Sequence, residues 1–375
     1  MTYEIDCLKD GIFSKSTLKP LRSVFNYDQE KKKIQLLVSA GEWFTVSGLR
    51  RTGKTTLVRS TVATINDIQT IYVDMWGAEE HREIDIFLER LRLGIKQLAV
   101  ASKIKSILRK VEGITFLGIV KVELKLKGEL TITEALESLA KKKKVVLIID
   151  EAQIALRSRR VAEFLASLHD KLSPNLSVIM AGSLISMKKI ISTNKAMPLY
   201  GRIGDELILN PLNVDSAREV LLKGFEECNI SVTDDIIDVG VSVFGGFAGW
   251  LNWYGRRVVL ELLQNRKIIP FKIVELVESE ARGQIYDEIA RTLRDRKNIR
   301  LYLKILNRIA NSEFITVSEA AKLINRDEST AVFYLSQLSE IGLIKKEERY
   351  YTIADPMIKR IARNPDFEKE VKIRI

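Results

Sequence analysis

The sequence predicts an α/β fold with a mostly parallel sheet, followed by helical domains. The run 145–149 is continuously apolar, which is typical of a parallel strand that is buried on both faces. Shorter β-prone runs at 43–46, 70–74 and 175–180 are separated by segments with helical periodicity, as in open parallel sheets. After residue 213 the strand pattern stops and helical patterns continue. The sheet is therefore expected in the N-terminal part of the chain.

Composition favours a globular protein with more than one domain. A chain of 375 residues is too long for one ordinary core, and 46% hydrophobic with 29% charged residues leaves ample material for several. The net charge of +11 favours anionic partners, but the basic residues are spread along the chain. Charge therefore permits a nucleic-acid partner without requiring one. Abundant lysine, isoleucine and glutamate with little glutamine fit a thermophile.

Neither the N-terminal residues nor the cysteines suggest export. No apolar run approaches the roughly 18 residues that a membrane helix needs. Residues 1–10 carry acids and no apolar signal core. Cys7 and Cys228 lie far apart in the chain, so a disulfide framework is not implied. We expect a cytoplasmic protein without a membrane partner.

The segment 48–56 matches the phosphate-binding loop pattern G-x-x-x-x-G-K-[ST]. It lies between a β-prone run and a helical pattern, which is the context of a true loop. Glycine permits backbone geometries that turn successive N–H groups toward phosphate oxygens. Lys54 would supply charge to the β- and γ-phosphates, and the Thr55 hydroxyl would bind Mg²⁺. A glycine turn before a basic helix is the alternative. The predicted nucleotide-binding residues are Gly48, Leu49, Arg50, Arg51, Thr52, Gly53, Lys54, Thr55 and Thr56.

The acidic pair Asp150-Glu151 closes the buried run 145–149. Carboxylates at the end of a buried strand are costly unless they meet a cation or water, and ligands bind beyond the carboxyl ends of parallel strands. We expect Asp150 to hold Mg²⁺, directly or through water, and Glu151 to polarise the attacking water. Capping of the following helix by Asp150 can hold at the same time.

Two further residues are catalytic candidates, and for each of them a purely structural role explains the sequence equally well. Ser183 follows the apolar run 175–180 and is a candidate sensor of the γ-phosphate, unless it only forms a strand-to-helix turn. Arg202 precedes a predicted strand at 206–209, where an arginine finger would neutralise transition-state charge in cis or from a neighbouring subunit. An ordinary surface arginine in a turn is its alternative.

The pattern divides the chain into three predicted domains. Alternating residues between 113 and 128 predict a strand, paired with 114–116 as a hairpin, and a helix over 133–144 follows. The predicted domains are a core over 1–212 with the hairpin insertion near 113–128, a helical lid over 213–295 and a winged-helix domain over 296–375.

The C-terminal pattern of three helices and a hairpin is that of a winged helix, a helix-turn-helix variant. Its third helix starts at Asp327-Glu328 and carries no arginine, which disfavours reading of DNA bases. Cations in the hairpin 345–349 are suited to a DNA backbone, but two glutamates offset them, and packing or protein binding is as well supported. On the third helix the predicted buried row is Val332, Leu335 and Leu338, and the predicted exposed residues are Thr330, Phe333, Tyr334 and Gln337.

With these motifs the chain resembles the archaeal ATPase family in the STAND and AAA-like branch of P-loop proteins. The resemblance covers nearly the whole chain, and its first two segments are the specific ones. The segments are GLRRTGKTTL at 48–57, VVLIIDEAQ at 145–153, MAGS at 180–183, PLYGRIGDELILNPL at 198–212, GGFAGWLNWYG at 245–255 and YTIADPMIKRIA at 351–362.

The resemblance implies an ATP-binding core with strand order 5-1-4-3-2, a helical lid and a C-terminal winged helix. The chain departs from the family at Ala248, where proline is usual. ATP or ADP is the implied nucleotide, and no guanine-specifying motif is evident. The resemblance puts the phosphate and Mg²⁺ contacts on Gly53, Lys54, Thr55 and Asp150, and the catalytic base on Glu151.

Three functions are compatible with these residues. The first is an ATPase switch in which Mg-ATP turnover moves the lid and the winged helix. The second is a DNA-binding protein regulated by bound nucleotide, similar to archaeal replication initiators. The third is a signalling scaffold that holds nucleotide and hardly turns it over. Binding of other proteins and self-association remain open.

Overall fold

The computed structural model describes residues 7–9, 11–14, 26–79, 81–101, 123–183, 187, 195–264 and 266–375. The chain forms two compact units. The sheet unit comprises Tyr27–Gly48 and Leu57–Ile208, and the helical unit comprises Met1–Asn26, Leu49–Thr56 and Leu209–Ile375. The helical unit contains both the predicted lid and the predicted winged-helix domain, so the predicted domain boundaries stay predictions.

The sheet unit is built on a five-stranded sheet with the order β2-β3-β4-β1-β5. This order confirms the expectation of 5-1-4-3-2. The pairs β1–β4, β3–β4 and β2–β3 are parallel. The strands are β1 (Phe44–Gly48), β2 (Ile68–Asp74), β3 (Lys144–Asp150), β4 (Leu176–Ser183) and β5 (Asp205–Leu209).

Helices pack on this sheet and bury apolar residues in a shared core. In the best-defined case, Val161, Leu165, Leu168 and Leu172 recur at helical spacing and are buried. Together with Val145, Leu147 and Ile149 of β3 they belong to one hydrophobic core. The helices are α1 (Asp28–Ala40), α2 (Lys54–Ala63), α3 (Glu83–Ala101), α4 (Glu123–Ala140), α5 (Ala152–Ala155) and α6 (Arg159–Leu172).

The predicted hairpin insertion is wrong where the structure describes it. Residues 123–128 belong to helix α4 and not to a strand, while the part of the prediction at 113–122 lies outside the described residues. Glutamate, leucine and lysine dominate this stretch and are good helix formers. Alternation over so few residues is also too short to outweigh continuation into a helix with buried Ile132 and Leu136.

Among the described residues, four helices of the helical unit lie within the predicted lid, and an N-terminal segment packs against them. The Phe13 ring is fully buried and lies edge-on to Phe225, with ring centroids 5.0 Å apart. A Cβ at Gly224 or Gly255 would clash with this ring, so both positions need glycine for close approach. The lid helices are α7 (Val214–Glu227), α8 (Asp234–Phe244), α9 (Ala248–Leu263) and α10 (Pro270–Leu293).

A disulfide bond also holds the N-terminal segment. Cys7 is bonded to Cys228; the two Cα atoms are 5.2 Å apart, and the residues are 221 positions apart in the chain. The sequence expectation of no disulfide framework was wrong in this respect. Spacing in the chain carries no information here because the fold brings the N-terminal segment beside the end of α7.

The C-terminal part has the predicted winged-helix plan. Its small antiparallel sheet has the order β6-β8-β7. Thr316 and Glu319 form a capping box at the start of α12, which fixes where that helix begins. The elements are α11 (Ile299–Ser312), β6 (Ile315–Thr316), α12 (Val317–Ile324), α13 (Glu328–Glu340), β7 (Ile344–Glu347), β8 (Tyr350–Ile353), α14 (Pro356–Ala362) and α15 (Phe367–Ile373).

The buried face of α13 differs from the predicted one at three positions, because Val332 is exposed while Ala331 and Tyr334 are buried. Val332 is 42% exposed, whereas Tyr334 is only 6% exposed. The Tyr334 ring packs edge-on against Tyr302, and its hydroxyl accepts a hydrogen bond from Asn298 at 3.3 Å. The two possible faces differ by about one residue of rotation, and packing against α11 selects the one with the larger aromatic side chain. Among the described residues, no helix combines the length and apolar character that a membrane span requires.

We expect Phe13→Ala to lower the free energy of unfolding by about 3–5 kcal/mol, since it empties a pocket that two glycines shape around the ring. Chemical denaturation would measure the loss. Phe271→Ala is the matched control, because Phe271 is 63% exposed at the start of α10. Equal stability of the two variants would contradict a structural role for the N-terminal segment.

Candidate functional site

The predicted phosphate loop follows β1 and leads into α2. Within it, the Lys54 ammonium donates a hydrogen bond to the Leu49 carbonyl at 2.6 Å, and the Thr52 hydroxyl donates to the same carbonyl at 2.9 Å. Gly53 has φ of 96°, a left-handed conformation that favours glycine. The loop therefore curls around its own lysine, which places a positive charge beside the backbone that is predicted to meet phosphate.

The loop also contains a non-glycine residue in a left-handed conformation. Arg51 has φ of 63°, which costs an ordinary side chain on the order of 1–3 kcal/mol. Such a conformation persists only where the surroundings determine it. The Arg51 carbonyl accepts a hydrogen bond from the Gly249 N–H at 2.9 Å. The Arg51 guanidinium contacts three side chains.

Those partners are acidic and aromatic residues of the helical unit. Arg51 lies 2.7 Å from a carboxylate oxygen of Glu288, 3.4 Å from Asp355 and 4.2 Å above the Trp250 ring. Arg50 is also paired with Glu288, at 3.4 Å. Sequence reasoning placed both arginines at the nucleotide and missed their three partners. The only available signal was the unusual Trp and Asp in the segments 245–255 and 351–362.

In the sheet unit, polar residues collect at one edge. Gly48, the last residue of β1, pairs with Ser183 at the end of β4. Asp150 at the end of β3 pairs with Asp74 at the end of β2. Because these strands are parallel, all four positions lie at the carboxyl edge, where ligands bind in open α/β sheets. Three predicted site residues, Gly48, Asp150 and Ser183, are thus brought to the same edge.

Asp150 is oriented by hydrogen bonds and is only 8% exposed. The Tyr72 hydroxyl donates to its Oδ2 at 2.8 Å, and the Glu151 N–H donates to its Oδ1 at 3.0 Å. Burial and the neighbouring Asp150 charge raise the pKa of Tyr72, so the phenol stays protonated and remains a donor. The Arg59 guanidinium covers the Tyr72 ring at 4.2 Å. Sequence reasoning missed Tyr72.

A second carboxylate, Asp74, stands beside Asp150 in the sheet register. Burial raises the pKa of Asp74, and the Asp150 charge adds to this rise, while a hydrogen bond from the Trp76 N–H opposes it. Among the described residues, no three His, Cys, Asp or Glu side chains form a cluster that could hold a metal. Mg²⁺ is commonly bound by one or two carboxylates together with phosphate and water. The carboxylates of Asp150 and Asp74 are ligands of that type.

Glu151 follows with φ of 50°, again in the left-handed region. The Gln153 side-chain amide donates to its Oε2 at 2.5 Å. Glu151 is the residue before α5, and no side-chain cap hydrogen bond from it is found at that helix. The carboxylate is therefore directed by Gln153, a residue that sequence reasoning did not single out.

Arg202 lies away from these residues, at the opposite edge of the sheet. Its guanidinium makes two hydrogen bonds to Asp170, at 3.0 and 2.9 Å, near the end of α6 and before β4 begins. The Gly204 N–H donates a hydrogen bond to the carbonyl of Trp43, the residue before β1. The eight residues of β4 span roughly 23 Å between the two edges. This placement disfavours a role for Arg202 at the phosphates of its own chain. The pairing with Asp170 agrees with a surface arginine in a turn, and a contact with a neighbouring subunit stays a prediction.

A glycine-rich phosphate loop after the first strand, an acidic pair after the third and the strand order 5-1-4-3-2 together define a P-loop nucleoside triphosphatase fold. The sequence over residues 25–251 matches a family described as an ATPase domain predominantly from Archaea. The chain belongs to that family. Among proteins of curated function, no match is found.

Solved structures support the same fold over nearly the whole chain. A Walker-type ATPase of Pyrococcus abyssi is similar with a TM-score of 0.74 and 23% identity, covering 94% of this chain and 100% of that one. The ORC2 protein of Aeropyrum pernix, in ADPNP–ADP complexes, has a TM-score of 0.61 and 14% identity, covering 97% and 98%. The Aeropyrum pernix ORC1 protein in complex with DNA has a TM-score of 0.50 and 13% identity, covering 98% of each chain.

We expect Arg202→Ala to leave nucleotide affinity within about twofold of the wild-type value, because the residue lies at the wrong edge of the sheet. Titration with a fluorescent ADP analogue at low protein concentration would measure it. A tenfold loss under these conditions would contradict the placement. If Arg202→Ala hydrolyses nucleotide more slowly than wild type only at high protein concentration, where subunits associate, Arg202 would be assigned to a neighbouring subunit's site.

Proposed function

We propose that the protein binds ATP with Mg²⁺, hydrolyses it, and uses turnover to move the lid helices and the winged-helix domain. The observation that carries this proposal is the curled loop, in which the Lys54 ammonium is held against the Leu49 carbonyl directly after a buried strand. Membership of an archaeal ATPase family supports ATP as the nucleotide. The cytoplasm is the compartment that we propose for this protein.

The loop supplies binding and charge. Phosphoryl transfer asks a protein mainly for positioning and electrostatic stabilisation. Backbone N–H groups of residues 48–56 hold the phosphates, and Lys54 neutralises the β- and γ-phosphates. The Thr55 hydroxyl would bind Mg²⁺, and the Asp150 carboxylate would bind it directly or through water; the ion would supply further positive charge to the phosphates. The Tyr72 hydroxyl keeps one Asp150 oxygen in a fixed orientation.

The carboxyl edge of the sheet supplies the base and the sensor. Glu151 polarises the attacking water and accepts its proton, and Gln153 directs the Glu151 carboxylate through a hydrogen bond. Ser183 lies beside the last residue of β1 and senses the γ-phosphate. Hydrolysis removes the γ-phosphate from reach of these groups, and this loss is the signal that resets the lid.

The disulfide bears on the compartment. Disulfide bonds are rare in cytoplasmic proteins of mesophiles but common inside hyperthermophilic archaea. The Cys7–Cys228 bond, both of whose cysteines are buried, therefore agrees with a cytoplasmic protein of a thermophilic archaeon.

Lys54→Ala should abolish tight nucleotide binding, with a loss of about a hundredfold or more, because the main phosphate charge partner is removed. Equilibrium titration with a fluorescent ATP analogue measures this. Lys142→Ala is the matched control, since it deletes an exposed lysine that follows α4. Equal affinities of the two variants would remove Lys54 from the site.

Glu151→Gln should keep nucleotide binding and lose steady-state hydrolysis by about a hundredfold or more, because the amide cannot accept a proton. Phosphate release would be followed with and without Mg²⁺. Unchanged turnover would exclude Glu151 as the base. Bound ADP in the purified wild-type protein, with negligible turnover, would favour the signalling scaffold over the ATPase switch.

DNA is a second candidate partner, supported by the wing of the winged helix. Lys345, Lys346 and Arg349 are exposed at the hairpin, and the Aeropyrum pernix ORC1 neighbour is known in complex with DNA. Hydrogen bonds from Ser329 and Thr330 lower the pKa of Asp327 to about 2, so the start of α13 stays negatively charged and repels phosphate.

We therefore expect sequence-independent backbone contact through the wing. Fluorescence anisotropy with a short duplex should show binding that weakens steeply with salt and is lost in the triple variant Lys345→Ala/Lys346→Ala/Arg349→Ala. Absence of binding at low salt would reject DNA as a partner.

A further inference from the structure

Arg51 belongs to the loop by sequence, but its side chain belongs to a charge cluster in the helical unit. The carboxylate side chains of Glu288 and Asp355 are each only 6% exposed. Ionised carboxylates at such depth are costly unless a cation and hydrogen bonds satisfy them. Arg51 supplies that cation to both, and Arg50 supplies a second one to Glu288.

Asp355 joins three parts of the helical unit at one carboxylate. It accepts hydrogen bonds from the Met357 and Ile358 N–H groups and so caps α14 at the end of the winged helix. It also accepts the Trp250 indole N–H at 2.8 and 3.0 Å, from lid helix α9. Arg51 of the loop completes the set. Burial raises the pKa of Asp355, and the Arg51 charge opposes that rise.

The loop is held at its backbone as well. The Arg51 carbonyl accepts the Gly249 N–H, from the first turn of α9. Arg51 has a left-handed φ of 63°, a conformation that arginine seldom adopts. The backbone contact and the side-chain contacts together determine this conformation, which sets the direction of the N–H groups that follow it.

We propose that Glu288 and Asp355 are positioning residues for nucleotide binding, acting through Arg51 to hold the loop in its phosphate-binding conformation. This inference rests on the proposed nucleotide-binding function. Nucleotide affinity then depends on the lid helices and on the C-terminal domain. By linkage, phosphate binding at the loop stabilises the cluster in return.

The chain offers a matched control for this proposal. Glu278 on α10 pairs with Arg360 on α14 at 3.1 Å and with Arg282 at 3.4 Å. This pair joins the same two helices as the Arg51 cluster but makes no contact with the loop among the described residues. Glu278→Gln therefore removes a comparable ion pair and leaves the loop held.

The test compares full-length wild type, Glu288→Gln, Asp355→Asn and Glu278→Gln by titration with a fluorescent ADP analogue, with thermal unfolding measured alongside. We expect Glu288→Gln and Asp355→Asn to weaken binding about tenfold or more, and Glu278→Gln to bind like wild type. The thermal shift that ADP produces should fall in the first two variants only.

Variants of Arg51 separate loop positioning from simple stability, which matters if Asp355→Asn fails to fold. Arg51→Gly keeps the left-handed conformation accessible but loses the side chain, and Arg51→Lys restores a charge. We expect weak binding for Arg51→Gly and partial recovery for Arg51→Lys. Wild-type affinity in both Glu288→Gln and Arg51→Gly would overturn the proposal. Wild-type protein that binds no nucleotide would instead overturn the proposed function itself.

Discussion

The contact of the Arg51 guanidinium with the Glu288 and Asp355 carboxylates joins the loop to α10 and to the start of α14 within the helical unit. The two carboxylates and the arginine would each be destabilising without the others. The carboxylates are buried charges that need a cation, and the arginine sits in a backbone conformation that needs outside support. Satisfying these demands together fixes the loop, the start of α14 and the Trp250 indole relative to one another within the helical unit.

The sheet unit meets a different constraint, which is the direction of its strands. Parallel strands end at a common edge, so Gly48, Ser183, Asp150 and Asp74 are brought together without any of them being near another in the chain. The same rule separates Arg202 from them, because it precedes β5 and pairs with Asp170 ahead of β4. Strand direction therefore decides which of the predicted site residues share an edge of the sheet.

Sequence reasoning failed where short-range patterns allowed two answers. The alternation before residue 128 permitted a strand, yet residues 123–128 are helical because good helix formers run on into α4. On α13, Val332 and Tyr334 could each have joined the buried row, and contact with Tyr302 selected the tyrosine. In both cases the local pattern was compatible with the observed structure but did not select it.

By itself the sequence determined the phosphate loop, the buried strand with its acidic pair, and, through a family resemblance, the strand order that the structure confirms. These features depend on neighbours in the chain, namely glycine backbone freedom and unbroken apolar runs. Only the tertiary structure decided the partners of Arg51, the Cys7–Cys228 bond and the edge at which Arg202 lies. Asp355 is 304 positions from Arg51, and no local pattern encodes a contact that arises only when separate elements pack together.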